Sequence, residues 1–126
     1  MDKNTCPFCE IEDKSRIIYE NDGWIGLMDG FPVTEGHTLL IPKRHVPTIM
    51  ELNHHEKLSL LQAIDDVIVI LKDRYNPQGF NVGTNCGRAS GQTVMHCHIH
   101  IIPRYNGDCQ DPRGGVRGVI PSKQKY

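Results

Sequence analysis

Between Thr93 and Ile102 the chain places His96, His98 and His100 at alternate positions, with Cys97, Ile99 and Ile101 among them. Side chains of a β-strand point to opposite faces in turn, so this spacing predicts a fifth strand, over Thr93 to Ile102, with an imidazole face and an apolar face. Such a strand needs a core on one side and an open polar surface on the other, as in a half-covered antiparallel sheet. Three readings of the imidazole face stand side by side. The rings are exposed residues of an edge strand, ligands of a histidine metal site, or neutral imidazoles in catalysis, since the ring titrates near neutral pH. Spacing does not choose among them.

The remaining elements follow from pattern. Arg16 to Glu20 reads as a strand, turned at Asn21-Asp22-Gly23 into a partner over Trp24 to Met28. Asp29-Gly30 and Pro32 interrupt, and Gly36 to Ile41 gives a third strand before Pro42. Asn53 with Glu56 is a capping-box signature, after which Leu58, Leu61, Ile64, Val67, Ile68 and Leu71 recur at helical spacing. The helix runs to about Tyr75 and is closed by Asn76-Pro77-Gln78-Gly79. Phe80 to Thr84 reads as a fourth strand, followed by a loop over Asn85 to Gly91; the fifth strand stops at Pro103. From residue 104 onward no periodicity is visible, which predicts an extended tail over 104–126. The sum is an α+β domain with a mostly antiparallel five-stranded sheet, one long helix and a short helical turn.

A length of 126 residues fits one domain over 1–126, and 38% hydrophobic with 23% charged residues is the balance of a soluble protein. With a net charge of -1 and no basic run, neither sequence-general nor sequence-specific nucleic-acid binding is expected. No apolar run approaches the roughly 18 residues of a membrane span. Met1 to Thr5 carries no apolar signal core, so a cytoplasmic location is the expectation. The odd count of 5 cysteines then reads as thiols or metal ligands.

Cys6-Pro7-Phe8-Cys9 has the spacing of a two-thiolate metal clip, which makes residues 1–10 a candidate metal-binding segment. A redox pair is the rival, but its usual βαβ context is missing. A reduced, metal-free pair is the third reading.

Gly91-Gln92-Thr93-Val94-Met95-His96-Cys97-His98-Ile99-His100-Ile101-Ile102-Pro103-Arg104 resembles the signature of the histidine triad (HIT) family of nucleotidyl hydrolases and transferases. Gly36-His37-Thr38-Leu39-Leu40-Ile41-Pro42-Lys43 is similar to a second segment of that family. Hairpin, long helix and triad come in the family's order, so the resemblance covers nearly the whole chain and implies a HIT-like fold.

The resemblance implies roles. His98 attacks the α-phosphorus of a nucleotide, forming a nucleotidyl-histidine that water hydrolyses to a nucleoside monophosphate. His100 and His37 support the phosphate, with Asn85, Gln92 and the loop amides of Gly91 and Thr93. The Thr93 hydroxyl serves the leaving group, and Asp29 meets the ribose. Zinc-holding relatives map their ligands onto Cys6, Cys9, His45 and His96, which implies a structural zinc site and no organic cofactor. The ending Ile102-Pro103-Arg104 with Gly107-Asp108 is similar to the dinucleoside polyphosphate hydrolase branch. A nucleoside phosphoramidase and a nucleotide-binding regulatory module are the alternatives. Family members are commonly homodimers, and no membrane partner is implied. Arg113 and Arg117, set among Gly114, Gly115 and Gly118, are candidates for binding a leaving polyphosphate or closing a dimer contact.

Overall fold

The computed structural model describes residues 5–126, so residues 1–4 of the expected metal-binding segment lie outside it. Five strands form one antiparallel sheet: β1 (Ile17–Glu20), β2 (Trp24–Met28), β3 (Thr38–Pro42), β4 (Gly79–Gly83) and β5 (Ile99–Arg104), in the order β1-β2-β3-β5-β4. Helix α1 (His54–Tyr75) covers one face. Its start is the expected capping box: Asn53 Oδ1 accepts the Glu56 N–H and Glu56 Oε1 accepts the Asn53 N–H, both at 2.8 Å. Asn76, left-handed at φ 51°, ends it. Ala63, Val67 and Leu71 are buried against Trp24, Leu40, Ile99 and Ile101 of the sheet. The fully buried Trp24 ties sheet to helix by donating from Nε1 to the Glu56 carbonyl at 3.0 Å.

Directly opposed residues of an antiparallel pair share a face. The pairs Leu27↔Leu39 and Leu39↔His100 therefore put His100 on the face away from α1. There Leu27, Leu39 and Ile41 form a second small cluster under Phe8, Ile11 and Ile17.

Four strands differ in their bounds from expectation, β4 by one residue, since it runs over Gly79–Gly83 and not Phe80 to Thr84. β1 begins after a 3₁₀ turn over Lys14–Arg16, capped by Asp13. β3 starts at Thr38 because Gly36, at φ 90°, still belongs to the preceding turn. The largest difference is β5, expected over Thr93 to Ile102 and found over Ile99–Arg104, so His96 and His98 precede the strand. Pro103 does not stop it. The Pro103 carbonyl accepts from Thr34 Oγ1 on the β3 side, beyond the last β3–β5 pair Thr38↔Ile101. The N–H that proline lacks would face that same finished edge, so no ladder bond is lost. Pro42 also lies within its strand, as the last residue of β3, and its carbonyl accepts from His96.

The tail is not extended throughout. It folds into 3₁₀ turns over Gly115–Val119 and Pro121–Lys123. Arg117 donates to the Gln124 carbonyl at 3.2 Å and the Lys123 carbonyl at 3.0 Å, and lies over the Tyr126 ring. Gly114, at φ 85°, is obligatory, because a Cβ there would collide with the Gln124 carbonyl. Among the described residues no helix is long and apolar enough to cross a membrane.

Candidate active site and metal cluster

The Cys6–Cys9 turn, the segment after β3 and the segment before β5 converge. Cys6 Sγ lies 3.3 Å from His96 Nδ1, Cys9 Sγ 3.0 Å from His45 Nδ1, and the two Nδ1 atoms are 3.0 Å apart. All four donor atoms fall within 4.8 Å of one another. Zinc bonds of about 2.0–2.3 Å in a tetrahedron separate donors by roughly 3.3–3.8 Å, so two thiolates and two imidazoles at this spacing fit such an ion. His96 is fully buried, and burial lowers its pKa, keeping the ring neutral. Its Nε2 is 2.8 Å from the Pro42 carbonyl, which only accepts. The proton therefore sits on Nε2 and the Nδ1 lone pair faces the cluster, the outer hydrogen bond expected of a ligating histidine.

Hydrogen positions in the other histidines follow from their partners in the same way. His98 Nδ1 lies 2.8 Å from the His96 carbonyl, so it carries the proton and the Nε2 lone pair is free. Thr84 Oγ1 donates to the His98 carbonyl at 2.7 Å and fixes the backbone there. The Val33 N–H donates to His37 Nδ1 at 3.0 Å, which leaves the His37 proton on Nε2. That Nε2 lies 2.9 Å from His100 Nδ1 and 3.4 Å from Asp29 Oδ2. His100 thus accepts at Nδ1 and holds its own proton at Nε2. Burial is the main cause that lowers the pKa of both His37 and His100, outweighing the attraction of Asp29.

These groups border a cavity of about 810 Å³ whose lining includes Phe8, Ile11, Asp29, Thr93, His98 and His100. Its inner wall is apolar, from Leu27 and Leu39, and its outer wall is the N-terminal segment. A free imidazole lone pair, a neutral N–H donor and a carboxylate thus meet in a half-apolar cleft, an arrangement able to attack and hold a phosphate ester of a nucleoside.

The expected site residues divide. Asp29, Thr93, His98 and His100 share this cavity, with His37 behind His100. Gln92 does not reach it. Its Nε2 donates to the Pro47 and Val94 carbonyls at 2.6 and 3.0 Å, and its Oε1 accepts the Gly87 N–H at 2.8 Å, so it holds the loop. The Gly91 N–H is engaged with the Arg88 carbonyl at 3.0 Å. Asn85 borders a different cavity, beyond His100. His96 is turned to the cluster, so the three histidines do not share one face. Phe8 was not anticipated. Its ring meets the His98 ring edge-on at 5.1 Å, and the signal was a ring placed inside the Cys-x-x-Cys turn.

A family model described as HIT domain matches residues 10–107. An uncharacterized HIT-like protein of Saccharolobus solfataricus is 32% identical over 123 residues, covering 95% of this chain and 86% of that protein. Adenylylsulfatase HINT3 of Arabidopsis thaliana is 34% identical over 110 residues, 85% of this chain and 56% of the plant protein. The crystal structure of a Zn-bound histidine triad family protein from Mycobacterium smegmatis superposes with a TM-score of 0.78 at 31% identity, covering 87% of this chain and 82% of that one. Motif, fold and relatives agree, and the chain belongs to the HIT family.

Proposed function

We propose that the protein is a nucleotide hydrolase that cleaves adenylate conjugates through a nucleotidyl-His98 intermediate. The observation that carries this is the His98 tautomer: Nδ1 donates to the His96 carbonyl at 2.8 Å, which leaves Nε2 as a nucleophile beside the cavity. In the first step a bond forms from Nε2 to the α-phosphorus, and the bond to the leaving group breaks with its electron pair. The leaving group takes a proton, for which the Thr93 hydroxyl is the nearby relay. His100, fixed as a donor by His37, holds a phosphate oxygen through Nε2–H. Asp29 takes the ribose hydroxyls, while Phe8, Ile11, Leu27 and Leu39 enclose the base. In the second step water attacks phosphorus, its proton refilling the Thr93 hydroxyl that served the leaving group, the electron pair of the P–N bond returns to Nε2, and the nucleoside monophosphate leaves. Bound at Cys6, Cys9, His45 and His96, zinc would supply a closed structural cross-link.

Dinucleoside polyphosphates such as diadenosine tetraphosphate are one substrate class, on the resemblance of residues 102–108 to that branch. One relative is named an adenylylsulfatase, which fits a reaction at an adenylate's phosphorus. A second reading, a nucleoside phosphoramidase, is favoured by Arg104, whose guanidinium is engaged by Asp108 at 2.8 and 2.7 Å and not offered to a polyphosphate. Cysteines that form no disulfide suit the cytoplasm. Exposed Leu58, Leu61 and Val69 on α1 suit a homodimer.

The test compares wild type with His98→Ala and His98→Gly on diadenosine tetraphosphate and on adenosine 5′-phosphoramidate. Turnover falls by at least ~10⁴-fold while AMP affinity stays within about threefold. Normal turnover in His98→Ala removes the nucleophile assignment. Wild type that binds AMP but turns over neither conjugate is a regulatory module.

A further inference from the structure

Asp29, the carboxylate set for the ribose, has a cation beside it. Arg16, in the 3₁₀ turn before β1, donates from Nε and Nη2 to the Met28 carbonyl at 3.0 and 2.7 Å. Its guanidinium also faces Gly30, where a Cβ would stand 3.5 Å from Nη2 and 3.9 Å from Nη1. Arg16 thus lies against the residues on either side of Asp29. Arg16, Asp29, Gly30 and Phe31 all line the cavity at His98.

The charge of Arg16 is uncompensated. None of the ion pairs among the described residues includes it. Asp13, the acidic residue nearest in sequence, has its carboxylate turned to the Ser15 N–H and hydroxyl. Asp29 accepts the Phe31 N–H at Oδ1, at 2.9 Å, and turns Oδ2 to His37. Glu10 and Glu12, the other carboxylates of the cavity, are exposed on its outer wall. A guanidinium carries five N–H donors; Met28 takes two, which leaves three, among them both on Nη1. The half-buried fork is therefore fixed at one edge and free at the other, the form that binds two oxygens of one phosphate.

We propose that Arg16 forms a subsite for a second phosphate on the ribose, at O2′ or O3′. The substrate is then an adenylate conjugate phosphorylated on its ribose. The proposal rests on the reading of Asp29 as the ribose contact. One ribose hydroxyl stays free to donate to Asp29, and the other carries its phosphate to the neighbouring guanidinium. An arginine beside a ribose-binding carboxylate is how a nucleotide pocket admits a ribose phosphate. Gly30 keeps the fork bare. Its φ is not among the positive ones, so the turn does not require a glycine there. A branched side chain at this position would lie against the guanidinium and cover it.

The test measures binding of AMP, adenosine 2′,5′-bisphosphate and adenosine 3′,5′-bisphosphate to the full wild-type chain by calorimetry. One bisphosphate binds roughly tenfold tighter than AMP, the order of a charge-assisted hydrogen bond. Which of the two does so identifies the hydroxyl that carries the phosphate. Arg16→Gln brings that bisphosphate down to the affinity of AMP and leaves AMP within about threefold. Arg16→Lys keeps part of the preference, since the charge stays and the fork is lost. Because Arg16→Gln also releases the Met28 carbonyl, Gly30→Val is an independent check: it covers the fork, leaves Met28 bound and lowers the preference too. Bisphosphates that bind no tighter than AMP overturn the subsite and leave the hydrolase reading untouched, as does a preference that survives Arg16→Gln. A chain that binds none of the three overturns the nucleotide reading, and the subsite falls with it. Wild type that shows the preference but does not turn over adenosine 5′-phosphoramidate overturns the hydrolase reading and leaves the subsite standing.

Discussion

In His98 and His37 the tautomer is set by a backbone partner that has no choice, and His37 in turn sets that of His100. The His96 carbonyl can only accept from His98, and the Val33 N–H can only donate to His37. Histidine spacing alone could not reveal this, because the deciding groups are backbone atoms. The arrangement has a pH signature. His37 and His100 are pushed below the ordinary value of 6.5 by burial, so the folded state resists protons that the unfolded chain accepts. As pH falls through 6.5 the unfolded state binds more protons than the folded one, and stability falls with it; above that pH the contribution is fully present. Urea unfolding at pH 7.5, 6.5 and 5.5 should show stability decreasing toward pH 5.5. The decrease should shrink in His37→Gln with His100→Gln, and stability that rises toward pH 5.5 contradicts the placement.

At the scale of elements, α1 was legible because two independent signals agreed: the Asn53/Glu56 box and a helical apolar period through Leu71. The box is reciprocal, and Arg44 also clamps the Glu56 carboxylate through two contacts at 3.1 and 2.8 Å, holding its pKa below the usual carboxylate range. Asn53→Ala should cost about 1 kcal/mol in urea unfolding with an unchanged m value, since one buried-end N–H loses its acceptor. A cost near zero would show that Arg44 alone fixes the helix start. β5 was misread for a physical reason. Alternation of His96, His98 and His100 imitates a strand, but the first two rings are aimed by the Cys/His cluster and the His96 carbonyl before the ladder begins at Ile99. Pro103 was read as a stop because a sequence does not show which edge its missing N–H faces. The tail was read as extended because 3₁₀ turns leave no period, and Gly114 and Gly115, which permit them, look like linker residues.

Across the whole molecule, one sheet face is framed by chain ends. The tail over 115–124 borders the cavity beyond His100, and residues 5–12 form the outer wall of the cavity at His98. What holds that wall is the cluster, which joins the Cys6–Cys9 turn to His45 and His96 and so to the backbone that fixes His98. Phe8, inside the turn, rests on both the His98 and His96 rings, at 5.1 and 6.0 Å. Loading with zinc and then chelating it should therefore have two separable effects. Losing the cross-link, at about 2 kcal/mol, should lower Tm by roughly 4–16 °C. Loosening Phe8 and Ile11 should weaken AMP binding about tenfold by calorimetry, the order expected when one apolar wall of a pocket is lost. Phe8→Ala in zinc-loaded protein separates the two, because it keeps the cross-link and removes the wall: AMP affinity should fall as in the chelated protein, with Tm nearly unchanged. If chelation lowers Tm but leaves AMP affinity intact, the wall stands without the cluster, and the metal clip is only an anchor for the chain's beginning.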